Sequence, residues 1–319
     1  MSRLTAAPEA LHLLIADAAL PLPPGAPKPP WPELPQLQAL TGRMRLLDTL
    51  ALDEDSPATP FEVALARAHG LPDGPGRTPW AAFETGTWGA PCAWLVPCHW
   101  QMGLDDVTVL RPTDLQLSET ESRALLAAVA PLLETEGLSL RYVRPHAWLA
   151  QGELLRDLAC WSVARAVQRP VTREQLALAP TEAQSRTLRR LQAEWQMLLY
   201  THPVNEAREQ ARCWPVNALW IAGAGALPAP PQASARVQVE TRLMDLPTDL
   251  DAATWASAWQ AVDAETALPL LAATRSGTPA RLTLCGPRRA VTLETPQGMA
   301  QKFMNKISPL RLSSLREQL

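Results

Sequence analysis

The chain has 319 residues, of which 47% are hydrophobic and 19% charged, with a formal net charge of −3. This length is enough to bury one large α/β core or two smaller ones. The balance of residue types excludes a chain that is disordered throughout. The charge shows none of the basic bias typical of nucleic-acid-binding proteins, so we expect no nucleic-acid partner.

The five cysteines and the N-terminal residues bear on the cellular compartment. An odd number of cysteines without disulfide-framework spacing predicts reduced thiols, and the start of the chain lacks a signal-peptide pattern. No apolar run is long enough to cross a bilayer, because LHLLIADAAL is interrupted by Asp17. We therefore expect a cytoplasmic protein with no membrane partner.

The N-terminal segment combines a short strand with a proline-rich arm. Leu11 to Ile15 is an apolar run typical of a buried strand. Eight prolines follow between Pro21 and Pro35, and they cannot donate to a β-ladder. Residues 21–35 are therefore predicted to be an extended arm. The arm either wraps its own domain or docks into an aromatic groove of a partner.

Two capping boxes mark helix starts in the next part of the chain. Thr59 and Glu62 flank Pro60, which favours a helix that ends at Gly70. Ser118 and Glu121 form the same pattern before a second helix. Strands are predicted between and after these helices, at Cys92 to Val96, Val107 to Leu110, Leu138 to Val143 and His146 to Leu149.

A long amphipathic helix is predicted to begin after Thr181. Its apolar face carries Leu188, Leu191, Trp195 and Leu198 at helical spacing. Pro203 ends this helix, and Asn205 is expected to cap a short basic helix that contains Arg208. A core strand at Ala218 to Ala222 then ends in Gly223 and Gly225.

The proline-rich stretch from Leu227 to Pro231 is the best candidate for a domain boundary. We predict a main α/β domain at residues 1–230 and a smaller α+β subdomain at residues 231–319. In the latter, Trp255, Trp259 and Val262 form a helix face, and LTLCGPRRAVTLE is a β-hairpin turning at Gly286-Pro287. The alternation of strands and helices predicts an α/β protein, a mixed-sheet sandwich with flanking helices.

No catalytic signature is complete. Gly223 and Gly225 follow a strand, but Pro228 stands where a dinucleotide fingerprint needs its third glycine. The chain has no P-loop and no Gly-x-Ser-x-Gly elbow. The spacing of Cys92, Cys98 and His99 does not match a zinc site. The sequence therefore predicts no catalytic residue, no bound metal and no cofactor.

The polar residues concentrate at two places, where His99 and His202 follow elements that end in the interior. Open α/β sheets bind ligands just beyond strand ends, so we predict a polar pocket between these two exits. Each histidine is equally well explained as a structural residue. Arg208 is a candidate anion-binding fork, although an ordinary salt bridge is the favoured alternative. Asn217 precedes a strand, so it is predicted to hold the His202 loop or to touch a ligand. The candidate binding residues are His99, Trp100, Gln101, Gln192, Gln196, Tyr200, His202, Asn205, Arg208 and Asn217.

Four stretches carry a family resemblance: WQMLLYTHPVNEAREQARCWPVNALWIAGAG, AWLVPCHWQM, LQLSETESRALLAAVAP and PELPQLQAL. Through them the chain resembles the RpfE-type regulatory proteins of proteobacteria, which are often labelled phosphoglycerate mutases. The resemblance implies a degenerate core of the alkaline-phosphatase and phosphoglycerate-mutase type. The family usually has an acidic residue and a proline before the histidine, whereas this chain has Pro97 and Cys98.

The mutase label can be examined against the residues present. Cofactor-independent phosphoglycerate mutases need two divalent metals, held by several Asp and His around a Ser or Thr nucleophile. This chain has five histidines in all, and only Asp17 and PELPQLQAL are similar to the start of that superfamily. We therefore expect a non-catalytic regulatory or ligand-binding protein with a small-molecule or protein partner. The alternatives are a phosphate-ester enzyme of the phosphoglycerate-mutase type and a partner-docking protein that uses the proline arm.

Overall fold

A computed structural model describes residues 10–19, 31–104, 106–172, 179–244, 246, 252–298, 301 and 310–319. The chain divides into two compact units. Unit 1 combines the described residues up to Asp55, Thr59–Gly70 and those from Gln232 onwards, whereas unit 2 consists of Ser56–Ala58 and Leu71–Pro231. The polypeptide thus leaves unit 1, builds unit 2 and returns.

The described strands are β1 Leu11–Ile15, β2 Arg45–Ala51, β3 Cys92–Cys98, β4 Trp100–Met102, β5 Asp106–Val109, β6 Ser139–Arg144, β7 Ala147–Gln151, β8 Val171–Thr172, β9 Ala218–Gly225, β10 Arg236–Glu240, β11 Ala280–Cys285 and β12 Arg289–Glu294. The described α-helices are α1 Pro35–Thr41, α2 Pro60–His69, α3 Trp80–Thr85, α4 Glu119–Glu134, α5 Val163–Gln168, α6 Glu182–Tyr200, α7 Pro203–Gln210, α8 Ala252–Val262, α9 Leu268–Arg275 and α10 Leu312–Gln318. A π-helical turn, Asp263–Ala267, joins α8 to α9.

Unit 1 contains a five-stranded mixed sheet in the order β10-β1-β11-β12-β2. The strand β1 lies between β10 and β11 and is parallel to both, while β12 is antiparallel to β11 and β2. Leu13 and Ile15 of β1 face the larger core, and Leu14 lies in a smaller cluster with residues of α2. This alternation explains why β1 is an apolar run, since a strand buried on both faces needs apolar residues throughout.

Unit 2 contains two antiparallel sheets. The larger has the order β6-β7-β3-β9, and the smaller has the order β4-β5-β8. Every residue of β3 is buried, and one core joins β3, β7 and β9 to the apolar faces of α4 and α6. The exit of β3 at His99 and the entry of β9 at Ala218 lie at the same end of the larger sheet, because the two strands are antiparallel neighbours.

The α/β class predicted from the sequence is confirmed, with mixed strand directions and flanking helices. Both capping boxes form, and Gly70 ends α2 in the left-handed conformation with φ of 71°. The long helix begins after its Thr181 cap, although Leu199 and not Leu198 completes its buried face. The hairpin β11–β12 turns at Gly286-Pro287 as expected.

The division of the chain differs from the predicted one. The boundary near residue 231 is present, but residues 232–319 do not form a subdomain of their own. Their strands β10 and β11 pair on either side of β1, so the two ends of the chain share one sheet. A sequence read in order cannot reveal this pairing, because the partners are more than 200 residues apart.

The proline arm is described only from residue 31, and residues 20–30 lie outside the described part. Trp31 packs on Trp259, with ring centroids 5.0 Å apart, and on Trp255 at 6.3 Å. This end of the arm is therefore held by its own unit, in agreement with the self-packing alternative. Whether the preceding prolines bind a partner stays a prediction.

The glycines at the end of β9 have a packing role. Gly223 has φ of 58°, and a β-carbon there would lie 2.8 Å from the Cβ of Trp80. The absence of a side chain therefore lets α3 approach the strand closely. The Gly223-Ala224-Gly225 pattern is accounted for without a phosphate ligand.

Candidate functional site

The site is built around one short segment, Trp214 to Asn217, which links α7 to β9 and is called the 214–217 segment below. Four of the side chains selected from the sequence bond to this segment or act from within it. They are His99, Asn205, Arg208 and Asn217.

Asn205 holds the segment through Val216. Its Nδ2 donates to the carbonyl oxygens of Leu199 and Val216, both at 2.7 Å, and its Oδ1 accepts from the Val216 N–H at 2.8 Å. The side chain is 2% exposed. The prediction that Asn205 caps the short helix was wrong, because His202 is the N-cap and Asn205 lies inside α7. A buried amide that satisfies three backbone groups has a structural role.

Arg208 holds the segment through Trp214. Its Nε donates to the Trp214 carbonyl oxygen at 2.9 Å, one terminal nitrogen donates to the Leu115 carbonyl oxygen, and the other pairs with Glu121 at 2.9 Å. The guanidinium is buried, so it is not the open anion fork that the sequence allowed. Burial acts to raise the pKa of Glu121, but hydrogen bonds from Ser118 and the Arg208 guanidinium outweigh it and hold that pKa low.

His99 contacts the segment with both its edge and its face. The Nδ1 atom lies 2.9 Å from the Pro215 carbonyl oxygen, and the ring stacks on Trp214 with centroids 4.8 Å apart and planes tilted by 44°. A carbonyl oxygen only accepts, so Nδ1 carries a proton. In the neutral imidazole, Nε2 is then an acceptor, and it has no hydrogen-bond partner among the described residues. Trp214 remains 49% exposed.

Asn217 binds the backbone of Trp100. Its Oδ1 accepts from the Trp100 N–H at 2.7 Å, and its Nδ2 donates to the Trp100 carbonyl oxygen at 3.0 Å. The side-chain amide thus makes the two hydrogen bonds that a paired strand residue would make, and it joins β4 to the residue before β9. The prediction that Asn217 holds the His202 loop was wrong, because its amide bonds to the Trp100 backbone instead. A contact between Asn217 and a ligand stays a prediction.

His202 stands at the start of α7. Its Nδ1 accepts from the Val204 N–H at 3.2 Å, so in the neutral ring the proton is on Nε2. No hydrogen bond or ring contact joins His202 to His99 within the described residues. The two histidines are related indirectly, because α7 carries the Asn205 and Arg208 that fix the segment beneath His99.

The remaining candidates lie on exposed or half-buried surfaces. Gln101 is exposed on β4, and Tyr200 is 82% exposed at the end of α6. Gln192 and Gln196 are half-buried and make no side-chain hydrogen bond to another described residue. Nothing in the described contacts links these four side chains to the 214–217 segment, so their membership of the site stays a prediction.

The chemistry available near the segment is limited. Burial raises the pKa of the Cys98 thiol, which therefore stays protonated at neutral pH and is a poor nucleophile. Within the described ranges, no three His, Cys, Asp or Glu side chains come together as metal ligands. The residues described do not fit the two-metal centre of a phosphoglycerate mutase. In the same part of the chain, no helix is both long and apolar enough to span a membrane.

Comparisons with known proteins give distant structural likenesses. No family model and no curated protein sequence matches the chain. Among solved structures, it is similar to a cofactor-independent phosphoglycerate mutase from Thermoplasma acidophilum DSM 1728, with 15% identity over 95% of this chain and 96% of that one, at a TM-score of 0.41. It is also similar to the PH0037 protein from Pyrococcus horikoshii, with 14% identity over 92% and 89% and a TM-score of 0.46. Likenesses this remote carry no argument about the site.

Three residues that contact the selected side chains were not predicted from the sequence. Trp214 and Pro215 belong to the same stretch as the selected residues, and the tryptophan before a proline was the available signal. Glu121 was assigned only to its capping box, because its second partner, Arg208, is 87 residues away.

Proposed function

We propose that this chain is a non-catalytic ligand-binding protein that recognises its ligand with the 214–217 segment and His99. The observation that carries the proposal is the contrast between backbone and side chain at Trp214. Its backbone is clamped by a buried arginine, yet its indole is 49% exposed. A large aromatic ring on a fixed backbone binds a partner with little loss of conformational entropy.

The other polar side chains support this arrangement as anchors. Asn205 satisfies the backbone N–H and carbonyl of Val216, Asn217 ties the segment to the Trp100 backbone, and His99 bonds to the Pro215 carbonyl oxygen. A binding surface needs such a supporting layer, because side chains must be fixed to within a fraction of an ångström to act. The polar concentration in the sequence is thereby explained as the support of the site.

The phosphate-ester alternative is less well supported. Recognition of a phosphate monoester calls for a free cation or a metal, but the Arg208 guanidinium is engaged with Glu121 and two carbonyl oxygens. The described residues also bring together no set of metal ligands. The resemblance to RpfE-type proteins supports a regulatory role for the binding event, with either a small molecule or a protein as partner.

Native mass spectrometry of the protein purified from its source tests the proposal. We expect a retained ligand that is lost from Trp214→Leu and kept by Met197→Ala, a change at a residue 75% exposed on α6. Equal retention in the two variants would remove the segment from the site. Turnover of 3-phosphoglycerate that is abolished by a chelator would contradict the non-catalytic assignment.

A further inference from the structure

We infer that the pair His99 and Trp214, called the His99–Trp214 shelf, takes a neutral aromatic ring that carries an N–H or O–H donor. This inference rests on the proposed function and adds the chemical class of the ligand. Three properties of the shelf lead to it: the hydrogen-bonding state of the imidazole, the exposed indole and the absence of an unbalanced charge in the support.

The hydrogen bonding of the His99 imidazole favours a ligand that carries a hydrogen-bond donor. Because Nδ1 donates to the Pro215 carbonyl oxygen at 2.9 Å, the neutral ring presents a lone pair at Nε2. The backbone of His99 is fixed as well, since its carbonyl oxygen accepts from the Leu110 N–H at 3.0 Å. Rotation of the ring to present an N–H would break the bond to Pro215. The ligand must therefore supply the hydrogen.

The exposed indole of Trp214 favours a ligand that contains an aromatic ring. The Trp214 ring contacts the imidazole, and the residue as a whole is 49% exposed to solvent. Aromatic pairs in offset or edge arrangements gain about 0.5–1.5 kcal/mol beyond the area that they bury. A planar ligand of similar size makes that contact while its donor reaches the adjacent Nε2.

The support of the shelf is electrically balanced, which favours a neutral ligand. Arg208, which fixes the Trp214 carbonyl oxygen, is paired with Glu121, so the two charges compensate each other. The Arg208 guanidinium is therefore not free to bind an anion, and the Glu121 carboxylate is already paired with that arginine. A neutral ring with one donor matches both the stacking surface and the Nε2 acceptor of His99.

The test uses indole and 1-methylindole, which have the same ring system but differ in the N–H donor. Binding is followed by NMR, through the imidazole resonances of His99 and through ligand line broadening, since twelve tryptophans prevent a specific fluorescence signal. One hydrogen bond contributes about 1 kcal/mol, so we expect 1-methylindole to bind about fivefold more weakly than indole.

Variants separate the two parts of the shelf. Trp214→Leu should abolish binding of both probes, whereas Trp214→Phe keeps a ring and should retain part of it. His99→Asn keeps a donor for the Pro215 carbonyl oxygen but lacks Nε2, so indole should bind no better than 1-methylindole. Trp88→Leu changes another exposed indole in unit 2, 38% exposed, and should leave binding unchanged.

The outcomes distinguish the inference from the proposed function. Equal binding of the two probes, or binding that survives Trp214→Leu, would overturn the ligand class. Competition of inorganic phosphate with indole would overturn it as well. If the natural ligand seen by mass spectrometry is lost from Trp214→Leu but is charged or aliphatic, the class is wrong and the binding function stands. If no ligand depends on Trp214, the proposed function itself fails.

Discussion

At the scale of single residues, Asn205 has the strongest structural role in the site. We expect Asn205→Ala to lower the free energy of unfolding by about 3 kcal/mol, more than the ~1 kcal/mol of a lost helix cap. The reason is that three buried backbone groups, on Leu199 and Val216, lose their partner. Urea denaturation measures the change, with the exposed Glu206→Ala on the same helix as control. A loss below ~1 kcal/mol would contradict this role.

His12 gives unit 1 a dependence on pH. Burial, together with the nearby Arg281 and His69, lowers the pKa of His12 from 6.5 to about 4. Its Nε2 lies 2.8 Å from the Thr283 hydroxyl, and its Nδ1 is buried with no hydrogen-bond partner in the part of the chain that the structure describes. Between pH 6.5 and about 4, His12 is therefore protonated in the unfolded chain but neutral in the folded chain.

Proton linkage determines whether this difference in protonation stabilises the folded chain at high or at low pH. The free energy of unfolding rises with pH wherever the unfolded state holds more protons than the folded state. The stabilisation that neutral His12 contributes is therefore fully present above pH 6.5 and is lost as the pH falls towards 4. This contribution amounts to about 3 kcal/mol. We expect His12→Gln to show a smaller loss of unfolding free energy between pH 7 and pH 4 than the unsubstituted protein. Parallel curves for the two proteins would show that His12 does not titrate in this range.

The sequence indicated which polar residues are engaged in this region better than it indicated their partners. Side-chain type and turn context were enough to select Asn205, Arg208 and Asn217. Such residues cluster where buried backbone N–H and carbonyl groups lack hydrogen-bond partners in a helix or sheet. Their roles depend on partners far along the chain, such as Glu121 for Arg208 and Trp100 for Asn217. Local pattern contains no information about those partners, so a supporting residue was interpreted as a ligand-binding one.

At the scale of elements, the start of α4 combines a cap with an ion pair. Glu121 accepts from the Ser118 N–H at 2.8 Å and hydroxyl at 2.7 Å, and it also pairs with the buried Arg208. Ser118→Ala should cost about 1 kcal/mol as a lost cap. Glu121→Ala should cost more, about 2 kcal/mol, because it also leaves a buried guanidinium without its charge partner.

Comparison of these two variants is the measurement, again by urea denaturation. Glu121→Gln serves as the matched control, since it retains an oxygen acceptor for Ser118 but not the charge for Arg208. We expect its stability to lie between those of the two alanine variants. Equal losses in Ser118→Ala and Glu121→Ala would mean that the ion pair adds nothing to the cap.

Helices with strong end signals were predictable from the sequence, whereas the strand β2 and the helix α3 were not. The helices α2, α4 and α6 carry cap residues that fix their first turns. The strand β2 was missed because it is mostly exposed, and because a register shift between Thr292 and Leu293 of β12 disturbs its pairing. Such an irregularity breaks the period-two alternation on which a strand prediction depends. The short helix α3 has no side-chain cap, which explains why it was missed too.

At the scale of the whole molecule, the chain builds unit 1 from both of its ends. The strand β1 lies between β10 and β11, with Leu14 and Ile15 fully buried. Residues 232–319 alone therefore lack the strand that joins β10 to β11. Gly70 and Gln232, where the chain leaves and re-enters this unit, are close neighbours, since a β-carbon at Gly70 would lie 2.6 Å from the Gln232 carbonyl oxygen.

A deletion of residues 71–231 tests this architecture. We expect the variant, with Gly70 joined to Gln232 by a short Gly/Ser linker, to unfold cooperatively, because each strand of the five-stranded sheet and the α2 that covers it are retained. The fragment 232–319 alone should show no cooperative transition in denaturant, because the edges of β10 and β11 that normally pair with β1 are left open. Circular dichroism during urea titration measures both. A cooperative transition in the isolated fragment would restore the predicted C-terminal subdomain, and its absence from the linked variant would show that unit 1 needs unit 2 to fold.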